Sequence, residues 1–207
     1  RLVWDVPEGA WTILRFGRRT TGANTRPAPE PGLGFESDKF DKAALEAHFE
    51  HFVGRLMAAV GPRPLDRETG WTMLHIDSWE MGAQNWTDGF AAEFARRRGY
   101  DPRPWLPAMT GRIVKSVGQT ERFLWDLRLT AQEMVIENHA RHLKALGREH
   151  GFGLSIEPYD MNPTADMVLG AVADVPMCEF WSHGYGFDST FSCIEAASVA
   201  HTVGRTV

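Results

Sequence analysis

The chain has 207 residues, 43% of them hydrophobic, which is enough apolar material to bury one sizeable core. A formal net charge of -5 and a pI near 5.9 leave no basic stripe to neutralise phosphates, so a nucleic-acid partner is excluded from the expectations. No apolar run approaches the roughly 18 residues that a membrane span needs, and two cysteines, Cys178 and Cys193, make no disulfide framework.

The chain starts at Arg1 without a Met and enters a strand-like run almost at once. It therefore reads as an internal fragment, and a periplasmic or secreted parent is favoured. Trp11 to Gly17 is the first expected strand, followed by a long loop from Gly22 to Gly34 rich in Pro, Gly, Asn and Thr. Loops of that length inside a domain are usually functional. Asp38 offers an N-cap, and Leu45, Phe49, Phe52, Val53 and Leu56 give Ala43 to Val60 helical spacing.

Trp71 to Asp77 is the second expected strand. Thr87 or Asp88 can cap a helix through Phe90, Phe94 and Arg98 that Gly99 closes. Arg96, Arg97 and Arg98 suit the negative end of that helix as a solvated cap. Three prolines between Tyr100 and Pro107 forbid a regular helix there. Gln119 to Glu149 has the pattern of one long amphipathic helix. Strands at 153–157 and 174–180, joined by a short connection, a helix from Phe191 to His201, and a strand opening at Arg205 complete the series. Alternating strands and helices predict an α/β fold with parallel strands and right-handed crossovers. Four strands and the start of a fifth amount to about half of a (β/α)8 TIM-like barrel with long βα loops, so residues 1–207 are expected to form one incomplete barrel.

Three apolar runs end on a carboxylate: Met73 to Glu80, Leu154 to Tyr159, and Val175 to Trp181. In a parallel barrel all strand C-termini open on one face, so these acids would converge beside aromatic rings, the composition of a sugar-cleaving pocket. Asp77 is placed to point inward and Glu80 to project from the following loop, although Asp77 could equally cap a turn. Glu157, followed by Pro158 and Tyr159, is a substrate-side acid or one half of an ion pair. Glu179, between Cys178 and Phe180, needs a partner such as a metal ion or a sugar hydroxyl.

Trp79 and Trp181 are candidate sugar-stacking platforms, and Trp4, Trp11 and Trp71 are expected in the core. His183 is a candidate contact to a substrate hydroxyl. His75 reads as a satisfied core histidine, His139 and His142 as a solvated helix face, Asp126 as a helix-surface or paired acid, and Cys178 as a buried thiol. A phosphate loop and a Gly-x-Ser-x-Gly elbow are both missing.

The strings Trp-Thr-Ile-Leu-Arg-Phe-Gly, Phe-Glu-Ser-Asp-Lys-Phe, His-Ile-Asp-Ser-Trp-Glu, Arg-Arg-Gly-Tyr-Asp-Pro-Arg-Pro-Trp-Leu-Pro and Cys-Glu-Phe-Trp, taken in order, resemble glycoside hydrolase family 106, the bacterial α-L-rhamnosidases. That resemblance implies a (β/α)8 barrel that removes terminal L-rhamnose with inversion, assisted by calcium. Carried over, Glu80 is the general acid and Asp77 supports it. Glu179 is the calcium-side acid, and Glu157 and Tyr159 sit on the substrate rim. The expected partner is a rhamnose-containing glycoside or polysaccharide. The chain has Ser37 where the family often has Cys. The resemblance also puts the second catalytic carboxylate beyond Val207, so this stretch alone is expected to be inactive. Another barrel glycosidase, or a sugar-binding barrel without catalysis, is the alternative.

Overall fold

The protein's structure, a computed structural model, describes residues 3–25, 28–61, 64, 66, 70–79, 82, 84–159, 164–179 and 190–207. Three parallel strands, β1 (Met73–Ile76), β2 (Gly153–Ile156) and β3 (Val175–Pro176), form a sheet in the order β1-β2-β3. His75 stands opposite Ser155, and Ser155 opposite Val175. Because side chains alternate along a strand, Leu74, Ile76, Leu154 and Ile156 share one face, and all four enter the hydrophobic core. His75 and Ser155 occupy the other face.

Helices cover the apolar face. α1 (Lys42–Phe49) passes through a π turn at Glu50–Gly54 into α2 (Arg55–Val60). α3 (Phe90–Arg98) ends at Gly99, whose φ of 81° closes the helix through Gly99 N–H to Ala95 O at 2.8 Å. The proline-rich segment coils as a 3-10 turn, Arg103–Thr110. The expected long helix is present as α4 (Val117–Met134), a π turn at Val135–Ala140, and α5 (Arg141–Glu149). Ser116 caps α4 by accepting from Gln119 N–H at 3.2 Å. Phe123, Leu127, Ala131 and Met134, spaced three and four apart, pack into the core with Phe90 and Phe94 of α3. At Gly147 of α5 a Cβ would meet Leu74 Cδ1 at 2.9 Å, so a larger residue there would displace the Leu74 side chain from beneath the helix. α6 (Asp166–Gly170) fills the connection between β2 and β3, and α7 (Thr190–Val203) packs against β3.

Several expectations are corrected. Residues 11–17 join no ladder among the described residues. Trp11 instead folds back, donating from Nε1 to Pro7 O at 2.9 Å and meeting Trp4 edge-on. Both tryptophans are exposed rather than in the core, whereas Trp71 packs on Phe152 as expected. The first long helix is capped by Asp41, which accepts from Ala43 N–H at 2.9 Å. Asp38 is occupied by Phe40 N–H, Gln84 and Thr87. With Thr87 thus engaged, Gly89 takes the N-cap of α3 at φ 74°.

The arginine run is no solvated cap. Arg97 and Arg98 are largely buried, and both bond Glu133 of α4. Arg97 also bonds Glu93 and Glu137. Only Arg96 reaches solvent. His142 pairs with Glu46 at 2.7 Å, and His139 is enclosed with its Nδ1 unbonded, so this face packs on α1 instead of facing water. Burial, then the Lys39 charge, push His139 down to about 3. Residues 205–207 join no ladder among the described residues, and the Arg205 guanidinium donates to Ala171 O at 3.1 Å. Asp126 is paired as expected, with Tyr100 Oη at 2.9 Å.

Candidate active site

The ladder continues past the strand ends: Glu157 N–H donates to Ile76 O at 3.0 Å, and Met177 N–H to Ile156 O at 2.8 Å. Asp77 and Glu157 therefore stand abreast on the face of His75 and Ser155, two residues further along. The ligand atoms of His75, Asp77 and Glu157 all lie within 4.8 Å of one another. His75 Nδ1 is 2.9 Å from Ser155 Oγ, which in turn donates to Leu74 O at 3.3 Å, so the ring is held upright on the sheet.

His75 is exposed, not a core histidine. Its place beside Asp77 was readable from the i, i+2 spacing, which puts both on one face of a strand.

The environments of the two acids differ. Asp77 is exposed and accepts from Ser78 N–H at 2.8 Å. Glu157 is 2% exposed and accepts from Tyr159 Oη at 2.9 Å. Burial pushes the Glu157 carboxyl up to about 7; a hydrogen bond with Asp77 and the charges of Asp77 and Glu179 push the same way, against the Tyr159 hydrogen bond. The Tyr159 phenol is raised in turn by burial and by Glu157. Glu179, half-buried three residues past β3, is close enough to act on both. Ser192 Oγ donates to its backbone carbonyl at 2.9 Å. The acids of three strand ends thus meet in one place. Glu80, Trp181 and His183 lie outside the described residues.

Trp79 is 7% exposed, with its Nε1 donating to Gly82 O. It also lines a cleft of about 1020 Å³ that runs past Phe16, Phe35, Gln84 and Trp86. The long loop closes onto this cleft through an Asn24–Phe35 bridge.

A buried carboxyl that keeps its proton near neutrality, beside an exposed carboxylate, can hold and pass a proton. The same oxygens suit a hard cation. A cation there would offset the burial and crowding that keep Glu157 protonated.

A family model described as alpha-L-rhamnosidase matches residues 1–207. A Formosa agariphila protein provisionally named a beta-glucuronidase is 39% identical over 208 residues, covering 100% of this chain and 17% of its own. The structure of a rhamnosidase from Novosphingobium sp. PP1Y superposes with a TM-score of 0.76 at 34% identity, over 88% of this chain and 18% of that one. The chain therefore spans less than a fifth of the length of either relative. Among the described residues no helix is long and apolar enough to cross a membrane.

Proposed function

The chain belongs to the α-L-rhamnosidase family of glycoside hydrolases, family 106, and from that premise we propose that its full-length protein removes terminal α-L-rhamnose by an inverting acid–base mechanism. The three-stranded parallel sheet is part of a (β/α)8 barrel in this reading, with its carboxylate-bearing face turned inward. Glu80 is the general acid that protonates the leaving oxygen, and Asp77 supports it. Glu157 and Tyr159 bind the sugar from the neighbouring strand end. With no cation bound, burial and the neighbouring acids keep Glu157 protonated up to about pH 7, and a bound cation would favour its ionised form. Trp79, Trp181 and His183 shape the sugar-binding walls.

Asp77, Glu157 and Glu179 are the residues that would hold calcium. When bound, calcium would supply a positive charge that orients vicinal sugar hydroxyls. The observation that carries the proposal is the meeting of Asp77 and Glu157 on one sheet face, within a chain of this family.

The test is hydrolysis of an aryl α-L-rhamnoside by the full-length protein, with Glu80→Gln and a calcium chelator as the two perturbations. Activity is expected to fall at least 100-fold in the variant and to be lost on chelation, and NMR should show the β-anomer first. Rhamnose binding without turnover would replace the proposal with a sugar-binding barrel. The name of the Formosa relative favours a second substrate, so an aryl β-glucuronide belongs in the same assay. Cleavage of that compound alone would move the assignment to a glucuronidase. Running the 207-residue chain beside the full-length protein tests the expectation that the water-activating carboxylate lies outside it.

A further inference from the structure

Cys178 and Cys193 are the only cysteines of the chain, and their sulfurs lie 3.6 Å apart. Both are free and half-buried. They join two segments that are already in register: Cys178 precedes Glu179 beyond β3, Cys193 lies in the first turn of α7, and the neighbouring Ser192 bonds the Glu179 carbonyl at 2.9 Å. α7 packs against β3 along the same seam. The thiols are therefore held in contact by structure on both sides of them, and the S–S bond length of about 2.05 Å is reached by a shift of roughly 1.5 Å shared between two side chains.

We propose that Cys178 and Cys193 are an oxidation site, closed to a disulfide by a low-molecular-weight disulfide such as oxidised glutathione, which pins the Glu179-bearing strand end to α7. The step balances as thiol–disulfide exchange. One cysteine thiolate attacks a sulfur of the oxidised reagent, forming a mixed disulfide and releasing one reduced thiol. The second thiolate then attacks the protein sulfur, closes the bridge and releases the second. Two electrons pass from the protein thiols to the reagent, and the two protons end on the released thiols. Partial exposure lets a small reagent enter, and the absence of a third cysteine in the chain leaves no competing partner within it. The proposal does not depend on which sugar the protein cleaves.

The experiment is a thiol map of the full-length protein. It is equilibrated with oxidised glutathione at mildly alkaline pH, quenched with iodoacetamide, digested without reduction and read by mass spectrometry. The expected product is one peptide pair joined through Cys178 and Cys193, lighter by two hydrogens than its reduced parts and split by dithiothreitol into two alkylatable thiols. In Cys193→Ser the glutathione adduct on Cys178 should persist, because its resolving thiol is gone. Wild-type protein in which both cysteines stay fully alkylatable, retain separate glutathione adducts, or bond to other cysteines would overturn the proposal. The wild-type map decides the matter even if the variant misfolds.

Discussion

At Glu157 burial and crowding act in the same direction. The carboxyl ionises at an ordinary 4.5 when unfolded and at about 7 when folded, so between those values the native state binds more protons than the unfolded one. Stability must then fall as pH rises through that window. Below about pH 4.5 the contribution is absent, because both states are protonated. Glu157→Gln keeps the shape and removes the titration. With a chelator present to keep cations off the acids, the wild-type protein is expected to lose roughly 1–3 kcal/mol more stability than Glu157→Gln between about pH 5 and about pH 8. Denaturant midpoints of the full-length protein at the two pH values measure the difference. Equal slopes would mean that Glu157 ionises normally. His75 carries a related lesson. A lone histidine on a strand is more often core, yet its spacing from Asp77 placed it on the open face, and only the helices covering the other face decide which side is core.

Among the elements, the ion pairs between α3 and α4 make the clearest prediction. Arg97 is nearly enclosed by Glu93, Glu133 and Glu137, and without it three acids face one another. The acids keep some contact with water, which moderates the loss. Arg97→Ala is expected to cost about 1–3 kcal/mol, whereas the exposed Arg96→Ala should be close to neutral. Thermal midpoints of the two variants side by side test this, and equal shifts would contradict the packing described. Sequence patterning could not separate these arginines, because a helix C-terminus attracts cations whether or not another helix lies against it. The long helix at 117–149 was legible because its apolar spacing is local information. Residues 11–17 failed as a strand for the opposite reason. Alternation marks a segment able to pair, while pairing depends on a neighbour that the segment does not contain. The convergence of Asp77, Glu157 and Glu179 was legible because a parallel sheet with short strands leaves its chain ends on one side. The Cys178–Cys193 contact was not, since it depends on how α7 docks on β3.

Over the whole molecule the sheet has an apolar face covered by helices and two edges, β1 and β3, that pair only with β2 among the described residues. Unpaired strand edges template association. Apolar side chains add to this, with Val3 80%, Ile13 66%, Phe35 70% and Ile113 65% exposed. In the proposed barrel both edges would be hydrogen-bonded to further strands and the segment before α1 would lie against other structure. The 207-residue chain produced alone is therefore expected to self-associate at micromolar concentration and to bind a hydrophobic dye, while the full-length protein stays monodisperse and binds little. Sedimentation velocity on both, at matched concentration, reads the difference directly. A monomeric, dye-silent chain would mean that these edges and apolar groups are protected within the 207 residues, and the barrel reading would then lose the physical need for closure that supports it.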